Sequence, residues 1–481
     1  MSVLTALARA QAAAAGRAQP LTTVRHTHLS GRPLVLVPLH LAGETAAPLA
    51  AFVGERLDQP RLLVVGNPRD RGQRFEFVAE LAEVVLSYVD SFSRSVEDAG
   101  GGRMRYADAP QIVVPNGGGV DFLRLLGRST RFRRSYGPYP VPTKVPMLGR
   151  WLTFFRDRHE HPGSALLLAM TQVLGAHYAT GQSGQEDLNL AALLAWIDPP
   201  DGMTGVEAAA LAEDPLLYPP AGPSTDPTFD NEILAPLIGT TASQPVLAGA
   251  LRGQLAPTWR LLWQALGLLR QLPEGASVEA RWTVDKDAFS AYHISTMDGS
   301  ALPQPRLDSA VAAAGRLDRL EREQARYDAQ RALDDPLVMA EFRLAGEAFA
   351  GTVVGAHATR VELSAKNKKV LRPEITVHTD DPVRMEIGAA LTSPARPAQK
   401  AIVVDVSPPL VVLHLSGGTG RSLTPPPGSV PELGESVTYT ATADSYQPPG
   451  KFPSRDETPW THGGPPPEFV PTETDAGEEW E

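Results

Sequence analysis

Arginines, hydroxyls and rings alternate between Arg124 and Tyr136, where Arg128, Arg131, Arg133 and Arg134 surround Phe132, with Ser129, Thr130 and Ser135 among them. An arginine fork pairs with two phosphate oxygens at once, and an exposed ring stacks on an unpaired base for about 1–3 kcal/mol. The chemistry this pattern supports is grip on a nucleic acid or another phosphate-rich ligand. Further rings lie along the same stretch, at Tyr106, Phe122, Tyr139, Trp151, Phe154 and Phe155. The competing use is structural, since arginines paired with acids elsewhere in the chain hold elements together.

Two other groupings suit the same ligand. Asn116-Gly117-Gly118-Gly119 follows an apolar run and opens a helical pattern, so free N–H groups at the helix start could cradle an anion. Arg124 and Arg128, one and two turns on, are its natural partners. Lys366, Lys368 and Lys369 form the chain's one lysine cluster, between two strand-like runs, where small barrels place oligonucleotide-binding loops. A lysine-rich turn also keeps a hairpin tip soluble, and a Gly-rich turn is commonly only a turn.

Catalytic constellations are harder to find. There is no Gly-x-x-x-x-Gly-Lys-Ser/Thr, no His-Glu-x-x-His, no Gly-x-Ser-x-Gly and no Gly-x-Gly-x-x-Gly after a strand. With no cysteine, thiolate nucleophiles, disulfides and sulfur-ligated zinc are excluded. Histidines pair as His26-x-His28, with His40 nearby, and as His159-Glu160-His161, but a helix turns the latter two apart, and no metal or cofactor is expected. The alternative to a binding protein is a metal-dependent hydrolase with a dispersed carboxylate site, drawing on Glu44, Glu55 or Asp70. A third reading is a structural subunit of a protein assembly.

Charge is distributed unevenly. Residues 103–160 hold eleven basic and four acidic side chains, a balance of +7 in a chain whose formal net charge is −11. The last 37 residues hold eight prolines and eight acids against Lys451 and Arg455, which predicts a disordered Pro-rich acidic tail over 445–481. Such a tail could compete with nucleic acid for the arginines. Only seven of 44 basic residues are lysine, and Ala, Arg, Gly and Pro abound, the habit of a GC-rich bacterial genome. The Ala-rich start therefore reads as a helix within residues 1–22 and not as a targeting peptide. No apolar run suffices for a membrane span, and a cytoplasmic location with a protein partner is expected.

The elements that would position these groups predict an α+β multidomain chain. Apolar runs at Pro33–Leu41, Ala47–Gly54 and Arg61–Gly66 read as a meander feeding a helix near Gly72–Ser93, with another strand at Gln111–Pro115. Helices are predicted at Met147–Arg158, Ser164–Ala179, Gln185–Trp196, Pro257–Leu272 and Asp308–Leu333. The Pro- and Gly-rich stretch Pro199–Pro245 suggests a boundary between a mixed α/β domain (23–200) and an irregular helical region (201–335). Beyond 348 the period changes to two, with runs at Ala350–Gly355, Arg360–Leu363, Glu374–Thr379, Arg384–Ile387, Ala401–Ser407, Leu410–Ser416 and Glu435–Ala443. That is the spacing of a small OB-like or SH3-like barrel over 336–444.

Overall fold

The computed structural model describes residues 2–44, 47–214, 218, 223–239, 244–300, 304, 310–364, 367–420, 422–442, 448–452 and 457. Helix α1 (Val3–Ala15) starts at Ser2, whose hydroxyl accepts from the Thr5 N–H, and stops at Gly16, where φ is 62°. After the short strand β1 (Gln19–Pro20) come β2 (Leu34–His40), β3 (Pro48–Gly54) and β4 (Arg61–Val64), an antiparallel meander as the sequence predicts. Every residue of β2 is buried, since helices cover both faces of the sheet and no polar alternation is required.

Helix α2 (Arg71–Ser91) buries Phe77, Val78, Leu81, Ala82, Val85, Tyr88 and Val89, the stripe that its three- and four-residue spacing predicts. A small hairpin, β5 (Val96–Asp98) and β6 (Met104–Tyr106), leads to β7 (Ile112–Val114), which lies parallel to β2. Helices α3 (Gly117–Thr130) and α4 (Val145–His159) follow, and then β8 (Leu167–Ala169) pairs parallel with β7 to complete the sheet order β4-β3-β2-β7-β8.

Strand β8 corrects the expected helix Ser164–Ala179, of which only α5 (Met170–His177) is helical before β9 (Tyr178–Ala179) returns to β1. The run Ala165-Leu166-Leu167-Leu168-Ala169 has no polar face, and a continuous apolar run fits a buried parallel strand as well as a buried helix. Helix α6 (Leu190–Ile197) starts later than expected, because Asn189 caps it, and α7 (Gly205–Ala212) carries a Thr204/Glu207 capping box. A single turn, α8 (Pro227–Phe229), precedes α9 (Gln244–Arg270), which begins thirteen residues before the expected Pro257 and runs through it. Leu247, Leu251 and Leu255 on the added turns are buried, which offsets the backbone bond lost at the proline.

Helix α10 (Val278–Met297) has no counterpart among the predicted elements, because Arg281, Asp285 and Lys286 lie buried beside Trp282 and Phe289 and interrupt its apolar stripe. Helices α11 (Ala310–Asp334) and α12 (Pro336–Ala345) then lead to the barrel. One continuous core joins Leu36, Phe52, Val113 and Leu167 of the sheet to Trp259 and Leu262 of α9 and Trp282 and Phe289 of α10. The hydrophobic core therefore passes across residue 200 without a break.

The barrel is closed and antiparallel, built from β10 (Ala348–His357), β13 (Glu374–His378), β14 (Ala390–Ser393), β15 (Arg396–Ser407), β16 (Leu410–Leu415) and β17 (Ser436–Thr440) in the order β10-β13-β16-β15-β14-β17. Strands β11 (Val361–Leu363) and β12 (Lys369–Leu371) pair with each other outside it. The expected strand Arg384–Ile387 is not one; the wall is supplied instead by β14. Phe349, Ile375, Leu413 and Tyr439 fill the interior, and the Tyr439 hydroxyl donates to Gln399 Oε1 at 2.6 Å. Apart from residues 448–452 and 457, the acidic tail lies outside the described residues.

Helices α3 and α4 approach closely where Gly127 meets Gly149. A Cβ on Gly149 would stand 2.3 Å from the Arg131 nitrogen and 2.5 Å from Thr130 Oγ1. Gly149→Ala is expected to destabilise the protein by about 1–3 kcal/mol through overpacking. Gly253→Ala, on α9 with nothing near its Cβ, is expected to be neutral or stabilising by up to about 1 kcal/mol. Urea midpoints of the two variants check this, and equal midpoints would contradict the close approach.

Candidate nucleic-acid interface

Helix α3 turns Val120, Phe122, Leu123 and Leu126 inward, which leaves Asp121, Arg124 and Arg128 on its outer side. Its C-terminus opens into the loop of residues 131–144, pinned at its base by the Gly127–Gly149 contact. The Arg131 guanidinium lies 4.6 Å from the Phe132 ring centroid, and that of Arg134 lies 5.9 Å from Tyr136. Arg133 donates from Nε to the Ser129 carbonyl at 3.1 Å. Across the loop, Arg71 of α2 lies 4.7 Å from the Phe75 ring and 5.9 Å from that of Tyr139, and donates to the Tyr139 carbonyl at 3.1 Å. Tyr136 and Tyr139 are 68% and 73% exposed.

Several cations of the basic stretch form ion pairs. Arg103 and Arg105 reach Asp287, Arg105 also reaches Glu97, and Arg158 pairs with the buried Asp285 at 3.0 Å. Lys144 bonds Glu83 at 2.6 Å, Arg156 bonds Glu160 at 2.7 Å, and Arg124 turns to Asp121 at 3.0 Å. The pairs to Asp287, Asp285 and Glu83 hold elements together, as the competing use foresees, while Arg124–Asp121 and Arg156–Glu160 are local to one helix. Arg128, Arg131, Arg133 and Arg134 lie together at the end of α3, beside Phe132 and Tyr136. The rings divide: Trp151, Phe154 and Phe155 belong to the core, where Phe154 stacks on Tyr292 at 4.4 Å, and Phe122 is buried as well. Burial pushes the Tyr292 phenol up to about 12.

Asn116-Gly117-Gly118-Gly119 is accounted for as a helix cap. The Asn116 side chain accepts from the Gly119 N–H at 3.2 Å and donates to the Leu188 carbonyl at 3.4 Å. Pro223 roofs the turn, 2.8 Å from where a Gly118 Cβ would stand. Lys368 and Lys369 are exposed at the tip of the β11–β12 hairpin, beside Asn367 at φ 56°; Lys366 lies outside the described residues. At the hairpin's base Arg360 pairs with Glu362 at 2.7 Å, and His414 bonds Glu374 at 2.9 Å.

The carboxylates of the hydrolase reading do not converge. Glu44 pairs with Arg69, Glu55 with Arg32, and Asp70 caps α2 by accepting from the Gln73 N–H. The histidine pairs also diverge: His28 stacks on Trp282 with ring centroids 4.0 Å apart, His159 bonds the Leu167 carbonyl, and His161 bonds Glu323 at 2.7 Å. Among the described residues no three His, Asp or Glu side chains are grouped to hold a metal, and no helix is long and apolar enough to cross a membrane.

One polar assembly escapes the sequence because its members are far apart in the chain. His177 donates from Nδ1 to the Val173 carbonyl, which leaves Nε2 to accept the His26 N–H at 3.1 Å. The His26 ring lies 3.4 Å from Asp335, and the Arg281 guanidinium binds the His26 carbonyl and Gln330 at 2.8 Å each. No spacing of two or four residues signals such a group. No family model, no curated protein and no solved structure matches the chain.

Burial, aided by the charge of Arg331, drives the His26 ring down to about 3, and burial lowers His28 and His177 as well. These rings stay neutral in the folded chain while their unfolded forms take up a proton below 6.5. Their contribution to stability is complete above that value and is lost as pH falls toward the folded values. The urea midpoint is expected to fall between pH about 7.5 and about 5.5, and His28→Phe, which keeps the stack on Trp282, is expected to flatten that slope by up to about one proton. An unchanged slope in the variant would contradict a neutral, buried His28.

Proposed function

We propose that the protein is a non-catalytic nucleic-acid-binding accessory protein of the bacterial cytoplasm that acts beside a separate enzyme. The observation that carries this reading is the pair of exposed tyrosines, Tyr136 and Tyr139, on a loop flanked by Arg128, Arg131, Arg133 and Arg134 on one side and Arg71 on the other. Rings with open faces beside guanidinium groups suit unpaired bases joined by phosphates better than they suit a duplex, whose bases are already stacked. Phe132, half-buried under Arg131, orients that guanidinium at the loop's start.

The β11–β12 tip with Lys368 and Lys369 gives the barrel a basic projection. Loops between the strands of an OB-like or SH3-like barrel commonly serve such contacts, and this tip is the second surface of the proposal. The neighbouring Lys366 adds to it in sequence.

Fluorescence anisotropy with labelled oligo(dT) and oligo(U) tests the reading. Binding is expected to weaken with salt, and Arg131→Glu/Arg133→Glu/Arg134→Glu is expected to reduce it by at least about a hundredfold while circular dichroism stays unchanged. Tyr136→Ala and Tyr139→Ala are each expected to cost about 1–3 kcal/mol with little change in the salt slope. Salt-independent binding, or affinity unchanged in the triple variant, would remove the loop from the interface.

A further inference from the structure

The geometry points to a ligand for the basic loop within the chain itself: we propose that the acidic C-terminal residues 458–481 dock on the Arg128–Tyr136 surface and compete with nucleic acid for it. This regulatory contact rests on the nucleic-acid reading above, and the experiment below separates the two.

The first support is where the chain goes after the barrel. Beyond β17 it returns to α11, where the Gly450 N–H donates to Asp318 Oδ2 at 3.3 Å. The fit is close, since a Cβ on Gly450 would stand 3.1 Å from Asp318 Oδ1. Asp318 is held in turn by Arg322 at 2.9 Å. Two residues before Asp318 is Arg316, and Asp157 of α4 lies within electrostatic reach of both Arg316 and Arg131. The last described part of the chain before residue 457 thus lies against α11, at Asp318.

Length and charge supply the rest. Residues 458–481 hold six acids and no lysine or arginine, a balance of −6 opposite the four arginines of the Arg128–Tyr136 surface; from residue 453 the chain is 29 residues long. An extended chain spans about 3.3–3.6 Å per residue, so these 29 residues reach far beyond a neighbouring loop. Phe469 and Trp480 lie among the acids, and rings beside carboxylates suit a surface that presents arginines beside tyrosines. Tethering raises the local concentration of the tail to about the millimolar range, so even an affinity near ~0.1 mM would give about a tenfold competition.

The absence of native cysteine allows a direct test on the full chain. Ser135→Cys with Thr474→Cys, labelled with a donor and an acceptor dye, reports the distance between loop and tail. Energy transfer is expected to be high at ~50 mM salt and to fall at ~1 M salt, in Arg131→Glu/Arg133→Glu/Arg134→Glu, and on saturation with oligo(dT). In a second chain Glu468, Glu473, Glu478, Glu479 and Glu481 become Gln and Asp475 becomes Asn. This chain is expected to bind oligo(dT) about tenfold more tightly at low salt. Energy transfer that ignores salt and the arginine substitutions would overturn the docking, even if oligo(dT) binds. Salt-sensitive transfer without oligo(dT) binding by either chain would uphold the docking and overturn the nucleic-acid reading.

Discussion

The carboxylate of Asp335, wholly buried at the junction of α11 and α12, is the point on which the two halves of the chain depend. It accepts from the backbone N–H groups of Thr23, Val24 and Leu337 and from the Thr23 hydroxyl, and it faces the His26 ring. A carboxylate taken out of water is tolerated only when its lone pairs are filled, and here four donors fill them. Three of the donors come from Thr23 and Val24 in the segment before the sheet and one from Leu337 of α12, and Asp335 itself caps the helix that runs into the barrel. Arg281 adds a tie from α10 to His26 and Gln330, and Asp334 accepts from the backbone and hydroxyl of Ser277 just before α10. A long helix rich in alternating charge, which could not fold against a core by its own apolar edge, is thereby fixed at its C-terminal end. Asp335 thus joins the N-terminal segment to the helix that leads into the barrel.

Local pattern made much of the architecture legible. The meander, α2, β7, α3, α4, α11 and most barrel strands follow from period and from caps such as Asp70 and Asn116, each of which acts within a few residues. The failures share one cause, namely that tertiary partners decide the conformation. Leu167–Ala169 could be strand or helix until β7 offers a parallel edge, and α10 reads as polar because Asp285 and Arg281 are satisfied by Arg158, Ala165 and His26 from distant segments. The candidate site is legible to the same degree. Composition points to the arginines of residues 124–134, but only the structure shows that Arg103, Arg105 and Arg158 tie α10 to the sheet. Ring exposure likewise separates Tyr136 and Tyr139 from Trp151 and Phe155, which a sequence presents as equals.

Open sheets with parallel strands ordinarily bind ligands in the crevice beyond the strands' carboxyl ends. In this chain that crevice lies where β2, β7 and β8 end, at His40, Val114 and Ala169. It is closed by the protein itself: His40 donates its N–H to Pro223 and accepts at its carbonyl from Thr225, while the Thr171 N–H binds Pro115. Asn116 caps α3 from within, and Phe122 lies parallel to the His40 ring. Asn116 thus caps the N-terminus of α3, and the same helix carries Arg128 in its last turn, where the C-terminal dipole favours a cation. The connection Pro223–Thr225 thus covers the carboxyl end of β2, while the loop that α3 and α4 hold between them leaves the rings of Tyr136 and Tyr139 exposed.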